Sequence, residues 1–220
     1  MRPIFSKVVD PVFLHVLELL ERISANECPD PGEERKRIRA RLDRAQDRLG
    51  QTDDWRLAKY AIVAWVDEMF TEAPWEGAEW WQSQPLEFEV FRTAVAYSRF
   101  YEQAEEASNL VRKDALEVFY IFVVLGFRGM YKDPTTAAEA VRSVDFDLPS
   151  TMEGWAKRYG ASIQIAQDVA RVEERPRPGG GAPCHDGKFL SMAAWLTALI
   201  LAVLTTVVIL WDRLLSSGTS

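Results

Sequence analysis

Residues 189–211 read FLSMAAWLTALILAVLTTVVILW, about 23 positions without one charged side chain. The polar interruptions, Ser191, Thr197, Thr205 and Thr206, can each bond back to a helical carbonyl. At about 1.5 Å rise per residue such a helix is about 34 Å long, enough to cross a hydrocarbon core of about 30 Å with some tilt. A core helix in so small a chain is seldom apolar on every side for that length, so the segment is read as a transmembrane helix. Trp195 and Trp211 lie near its two ends, where indole rings favour the interface.

That span divides the rest of the chain. Arg171, Arg175, Arg177 and Lys188 precede it, whereas only Arg213 follows, beside Asp212. The positive-inside rule therefore puts residues 1–174 in the cytosol and leaves 212–220 as a short periplasmic tail. Residues 175–188, RPRPGGGAPCHDGK, read as a flexible tether between the two, because proline and glycine keep it from helix. The opening MRPIFSKVVDPVF is broken by Lys7, Asp10 and Pro11 and lacks the uninterrupted apolar length of a secretory signal.

Residues 1–174 carry helical periodicity and no sustained strand alternation, so the expected fold class is all-α, a cytosolic helical domain plus one C-terminal transmembrane helix. Asp10-Pro11 reads as an N-cap with proline in the first turn, followed by Val12, Phe13, Val16, Leu17, Leu19, Leu20 and Ile23 at helical spacing. Asp30-Pro31 repeats the signal, and Ile38, Leu42, Ala45 and Leu49 form a narrow apolar stripe stopped by Gly50. The remainder of that helix is basic; Arg35, Lys36, Arg37, Arg39, Arg41, Arg44 and Arg48 are read as a solvated face with internal ion pairs, the alternative being a docking surface. Thr52-Asp53-Asp54 caps a third helix whose Trp55, Ala58, Ile62, Trp65, Val66, Met69 and Phe70 face a core.

After Pro74-Trp75 the stretch WEGAEWWQSQP is expected to be a loop. Trp75, Trp80 and Trp81 either pin it to the domain or serve as partner-binding aromatics, pinning being the reading for most of them. Short helices are expected at 86–96 and 98–106. Asp114 reads as the cap of an apolar helix that ends in a tight turn at Gly126 and Gly129. Weaker helical patterns cover 135–144, 150–159 and 161–174.

Chemistry is sparse. Lys and Arg number 26 against 33 Asp and Glu, a net charge of -7, which argues against a nucleic-acid partner. Cys28 and Cys184 lie far apart with no CxxC, supporting neither a disulfide framework nor a structural zinc site. His15 sits among apolar residues and reads as a hydrogen-bonded core or boundary histidine. Cys184-His185-Asp186 lies in the tether, where adjacent residues cannot hold the geometry of a catalytic triad. No phosphate-binding, dinucleotide-binding or zinc-protease motif occurs. No catalytic residue, cofactor or metal ligand is expected.

The polar feature that stands out is Asp67-Glu68, with Glu72 one turn beyond, in the C-terminal half of an apolar helix. Acids there oppose the helix dipole, at a cost of a few tenths to about 1 kcal/mol, and are easier to understand if they cap another helix or meet a basic partner. Successive residues point about 100° apart, so a metal site would need ligands from a second helix and is the weaker alternative. From 60 to 91 there is no Lys or Arg, while Glu76, Glu79, Glu87 and Glu89 join the three acids. This stretch is a candidate surface for a basic partner.

The order KYAIVAWVDEMF, APW, LEVFYIFVVLGFRGMY, a glycine- and proline-rich tether and a single C-terminal span resembles the DotU family, called TssL in type VI secretion and IcmH in type IVB secretion. The resemblance covers nearly the whole chain. It implies a hook-shaped all-helical domain of two small packed bundles with a cleft between them. It also implies a tail-anchored, non-enzymatic inner-membrane scaffold that joins a TssM/IcmF-like membrane protein and docks baseplate components (TssK-like, TssE-like). The family's acidic cleft falls on Asp67 and Glu68 here, with Glu72 beside them. Reversing the charge of Asp67 and Glu68 is then expected to weaken partner recovery and leave the domain folded. The family's glycine-acid-aromatic stretch is replaced by TAVAYSRFYEQ. A homodimer through the Ala194, Ala198 and Ala202 stripe of the span, or ordinary lipid-facing alanines, fit the sequence equally. The alternatives are a DotU/IcmH component of a type IVB apparatus, a membrane-tethered metal-dependent enzyme, and a tail-anchored bundle of the cell-death-regulator type.

Overall fold

Three of the described helix starts carry their own cap, one of them Thr151, whose hydroxyl accepts the Gly154 amide at 3.1 Å. Asp30 accepts the Glu33 amide at 2.8 Å and opens α2 (Pro31–Leu49), and the Thr52 hydroxyl accepts the Trp55 amide to open α3 (Asp53–Glu72). Gly50 ends α2 at φ 68°, in the left-handed region that a residue with Cβ adopts only under strain. The computed structural model describes residues 1–133, 135, 137, 139, 141 and 147–174. Among these every regular element is helical and no strand occurs. The expected tether 175–188, span 189–211 and tail 212–220, with Cys184, His185 and Asp186, lie outside the described residues, as does much of the expected helix at 135–144. Among the described residues no helix is long and apolar enough to cross a membrane.

The first helix departs from expectation. Helix α1 runs Pro3–Ser24, so it starts well before Asp10-Pro11 and carries Pro11 inside it. The apolar stripe explains why: Phe5, Val8 and Val9 continue the spacing of Val12, Val16, Leu19 and Ile23 upstream, and all seven are buried. Packing outweighs the one amide bond that a proline removes. Helix α1 lies antiparallel on α2, whose Ile38, Leu42 and Ala45 are buried as the stripe requires.

Helix α3 is the strut of the unit Met1–Val172. It packs against α4 (Ala78–Ser83), α5 (Leu86–Phe91), α6 (Ala96–Asn109) and α7 (Asp114–Val124). Trp65 stacks on Phe122 of α7 at 4.5 Å between ring centroids, and Phe13 of α1 lies 5.6 Å from the same indole. A second aromatic cluster joins Phe100 and Tyr101 of α6 to Phe127 and to Trp155 of α8 (Met152–Glu174).

Three further boundaries are corrected. The tryptophan-rich stretch is not all loop, because Ala78–Ser83 coils into α4 to bring Trp81 inward. The expected helix at 86–96 stops at Phe91, where Arg92 takes the left-handed conformation at φ 59°. The patterns at 150–159 and 161–174 are one helix, α8, with Gly160 inside it against Tyr120. Gly126 (φ 116°) and Gly129 (φ 48°) do form the turn after α7, which leads into a 3-10 turn at Gly129–Tyr131.

A cleft walled by helix-capping carboxylates

Of the six described elements that begin without a side-chain cap of their own, four are joined to the acids: α1 after Arg2, α5 after Pro85, α6 after Val95 and the 3-10 turn after Arg128. None of these residues offers a side-chain oxygen to the orphan amides of a helix start. Each of the four starts is served by a carboxylate from another element. Asp67 Oδ1 accepts the Leu86 amide and Oδ2 the Glu87 amide, at 2.8 and 2.7 Å, which caps α5. Glu87 in turn accepts the Ala96 amide at 3.0 Å and the Val95 amide at 3.3 Å, which caps α6, together with the hydroxyls of Tyr60 and Thr93. Glu68 accepts the amides of Arg128 and Gly129 at 2.6 and 2.9 Å, and Asp114 accepts the Arg2 amide at 2.7 Å.

This arrangement accounts for the acidic pair. Asp67 and Glu68 diverge from α3 toward two different N-terminal ends, and the positive ends of those elements offset the unfavourable end of α3. Asp67 is 9% exposed and also accepts the Trp81 indole N–H at 2.8 Å. Burial pushes its carboxyl up to about 6, against the pull of its three N–H donors and of Arg35. Burial raises Glu68 as well, opposed by its two backbone donors. Burial and the Glu87 carboxylate both raise the Tyr60 phenol.

The same acids line a cleft of about 480 Å3. Asp67, Glu68 and Glu72 come from α3 and Glu87 from α5, with Tyr97 and Lys132 opposite. Asp67 and Glu87 are spent on internal donors. Glu68, half-buried, and Glu72, exposed, remain toward solvent, and Lys132 forms an ion pair with Glu72.

None of the three tryptophans lines the cleft. Trp81 has no exposed surface, so it is not a partner anchor; it pins α4 to Asp67 and packs on Phe70 at 4.8 Å. Trp75 is half-buried and donates its indole N–H to the Phe70 carbonyl at 2.8 Å. Trp80 is half-buried beneath Arg35, whose guanidinium lies 4.6 Å from its ring and 4.7 Å from that of Trp81. Arg35 is therefore not on a solvated face; it is 9% exposed and donates to the Gln84 carbonyl. Charge reversal at Asp67 would also not leave the domain folded, because a buried ammonium would face three N–H donors.

Among the described residues no group of three or more His, Cys, Asp or Glu side chains is placed to hold a metal ion. His15 is buried, with Nε2 3.1 Å from Glu34 Oε2, and burial followed by the Arg41 charge lowers its pKa.

The family model described as Type VI secretion system protein DotU matches residues 5–215. The chain belongs to the DotU family. That match runs from the first turns of α1 through the apolar segment 189–211, so the family resemblance carried by KYAIVAWVDEMF and LEVFYIFVVLGFRGMY is borne out along nearly the whole chain. No curated protein and no solved structure matched in the corresponding comparisons. On this DotU chain the two motifs meet in space: Asp67 and Glu68 lie in the first, and Glu68 holds the Arg128 and Gly129 amides of the second.

Sequence reasoning missed Glu87 as a cap and Lys132 at the cleft, and it gave Asp114 to its own helix, whereas Asp114 is the first residue of α7 and its carboxylate serves the start of α1. The signal was present in the uncapped starts. Pro85, Val95, Arg128 and Arg2 stand where Ser, Thr, Asp or Asn would be expected, and each such start needs an acceptor from elsewhere.

Proposed function

We propose that this DotU-family chain is a non-enzymatic inner-membrane scaffold of a type VI secretion membrane complex. In this reading a single span at 189–211 anchors it, with the helical domain in the cytoplasm and the C-terminus in the periplasm. It joins a TssM/IcmF-like membrane protein and docks baseplate components, TssK-like or TssE-like, through the acidic cleft. The observation that carries the docking role is the cleft of about 480 Å3, at which Glu68 and Glu72 face solvent on a wall fixed by Asp67 and Glu87. Carboxylates held by backbone amides need no rearrangement to meet a basic segment, so little ordering entropy opposes binding. The family description favours type VI over type IVB secretion.

The test is recovery of baseplate components on tagged full-length protein carrying Glu72→Lys. Glu72 holds no backbone amide, whereas both Glu68 oxygens do, so Glu68 is left in place. Reduced recovery with an unaltered circular dichroism spectrum supports the docking role; recovery equal to wild type would remove it. Metal analysis of the same purified protein separates this reading from the metal-dependent enzyme.

A further inference from the structure

The basic residues of α2 have two different fates. Lys36 and Arg37 pair with Glu33 and Glu34, Arg39 lies 3.4 Å from Glu89, and Arg35 is stacked on tryptophan. Arg41, Arg44 and Arg48 form no ion pair among the described residues; Arg41 and Arg44 donate only to the carbonyls of Arg37 and Ala40 one turn earlier. They stand at i, i+3 and i+7, one face of the helix, and Lys7 of α1 meets them across a concavity of about 100 Å3. Its floor is apolar, formed in part by Val12 and Ala45. Four like charges around one depression repel, and none of the four forms an ion pair among the described residues, although Asp10, Asp43 and Asp47 lie near them in the chain.

A second observation lies on α1. Ile4 is 66% exposed and Leu14 53%, and with Lys7 and Pro11 they occupy i, i+3, i+7 and i+10, so all four share one face. Large aliphatic side chains beside a cation cluster are the composition of a surface that lies in a membrane interface.

We propose that the α1–α2 face seats on an anionic phospholipid surface. A phosphodiester headgroup enters among Lys7, Arg41, Arg44 and Arg48, and Ile4 and Leu14 press into the boundary of the acyl region. The proposal rests on the membrane reading above for the presence of a bilayer, and adds which face meets it and which lipid it selects. Free phosphate would engage the cations and leave both aliphatic side chains in water. The lipid satisfies both halves of the surface at once.

The experiment uses the full chain in vesicles of phosphatidylcholine, with or without phosphatidylglycerol. Leu14→Cys, with Cys28 and Cys184 changed to serine, carries an environment-sensitive fluorophore, and iodide quenching reads its exposure. Quenching is expected to fall in the anionic vesicles alone, to persist against added inorganic phosphate, and to return at high salt. Each of Arg41→Gln, Arg44→Gln and Arg48→Gln is expected to lower the seated population about fivefold. Equal quenching in both vesicle types would overturn the proposal, including the case in which an acidic protein segment uses the patch. Flotation on neutral vesicles reads the span separately. Protein that floats only on anionic vesicles would overturn the span and uphold the face.

Discussion

Asp67 Oδ2 holds the backbone amide of Glu87 at 2.7 Å, and the Glu87 carboxylate holds the amide of Ala96 at 3.0 Å. One acid starts α5 and fixes the residue whose own acid starts α6. The acidic wall of the cleft is thus also the framework that positions two helices, and its residues divide into those that build and those that face solvent.

Asp67→Ala leaves the Leu86 and Glu87 amides and the Trp81 indole without their acceptor. A loss of about 3 to 5 kcal/mol is expected in denaturant unfolding. Hydrogen exchange should show α5 and the first turn of α6 losing protection while the α1–α2 pair keeps it. A uniform loss across the unit would count against the relay of caps.

The Asp67 carboxyl titrates near 3.8 in the unfolded chain and is pushed up to about 6 by burial in the folded one. Between those values the folded state binds more protons, so rising pH costs stability: the contribution is full below about pH 4 and lost as pH passes about 6. Compared with Asp67→Asn, wild type should lose up to about 3 kcal/mol of relative stability between pH 4 and 7 and be level above that. A relative stability that rises over this interval would mean that the three donors outweigh burial.

Gly129→Ala and Gly50→Ala separate crowding from backbone strain. Both glycines have positive φ, 48° and 68°. A Cβ at Gly129 would come within 2.7 Å of the Tyr97 carbonyl oxygen, whereas one at Gly50 meets nothing within 4 Å. Thermal unfolding should show a loss of about 1 kcal/mol at Gly50 and of about 2 to 4 kcal/mol at Gly129, where the Glu68 cap is disturbed as well.

Arg35→Lys is not a conservative change. The planar guanidinium covers two indole rings and reaches the Gln84 carbonyl, which a compact ammonium cannot do together. A loss of about 1 to 2 kcal/mol and a red-shifted tryptophan emission are expected. Unchanged emission would mean that Trp80 and Trp81 hold their places without it.

The all-helical class and the starts of α2 and α3 were legible in the sequence because Asp30 and Thr52 act within one turn of chain, where spacing is information enough. The start of α1 was not, since Asp10-Pro11 imitates a cap and only the burial of Phe5, Val8 and Val9 overrides it. The acidic pair was visible as an anomaly on α3, and capping of another helix was one of its two readings. Which helix each acid caps could not be read, because the Asp67–Leu86 and Glu68–Gly129 bonds join residues 19 and 61 apart and depend on packing. Trp81 illustrates the remaining gap. Tryptophan in a glycine- and proline-flanked stretch looks the same in sequence whether it fills a core or faces a partner.

The Arg2 amide is capped by Asp114, a residue 112 positions later. During synthesis at about 5 to 20 residues per second, α1 therefore waits on the order of 6 to 20 s for the acceptor that completes its first turn. Helix α2 emerges at once and can cover the Phe5, Val12 and Val16 side early, whereas the closing bond has to wait for α7. A nascent chain halted before α7 should be frayed at its amino end and paired at its α1–α2 hairpin, which gives the two ends of one helix different birthdays.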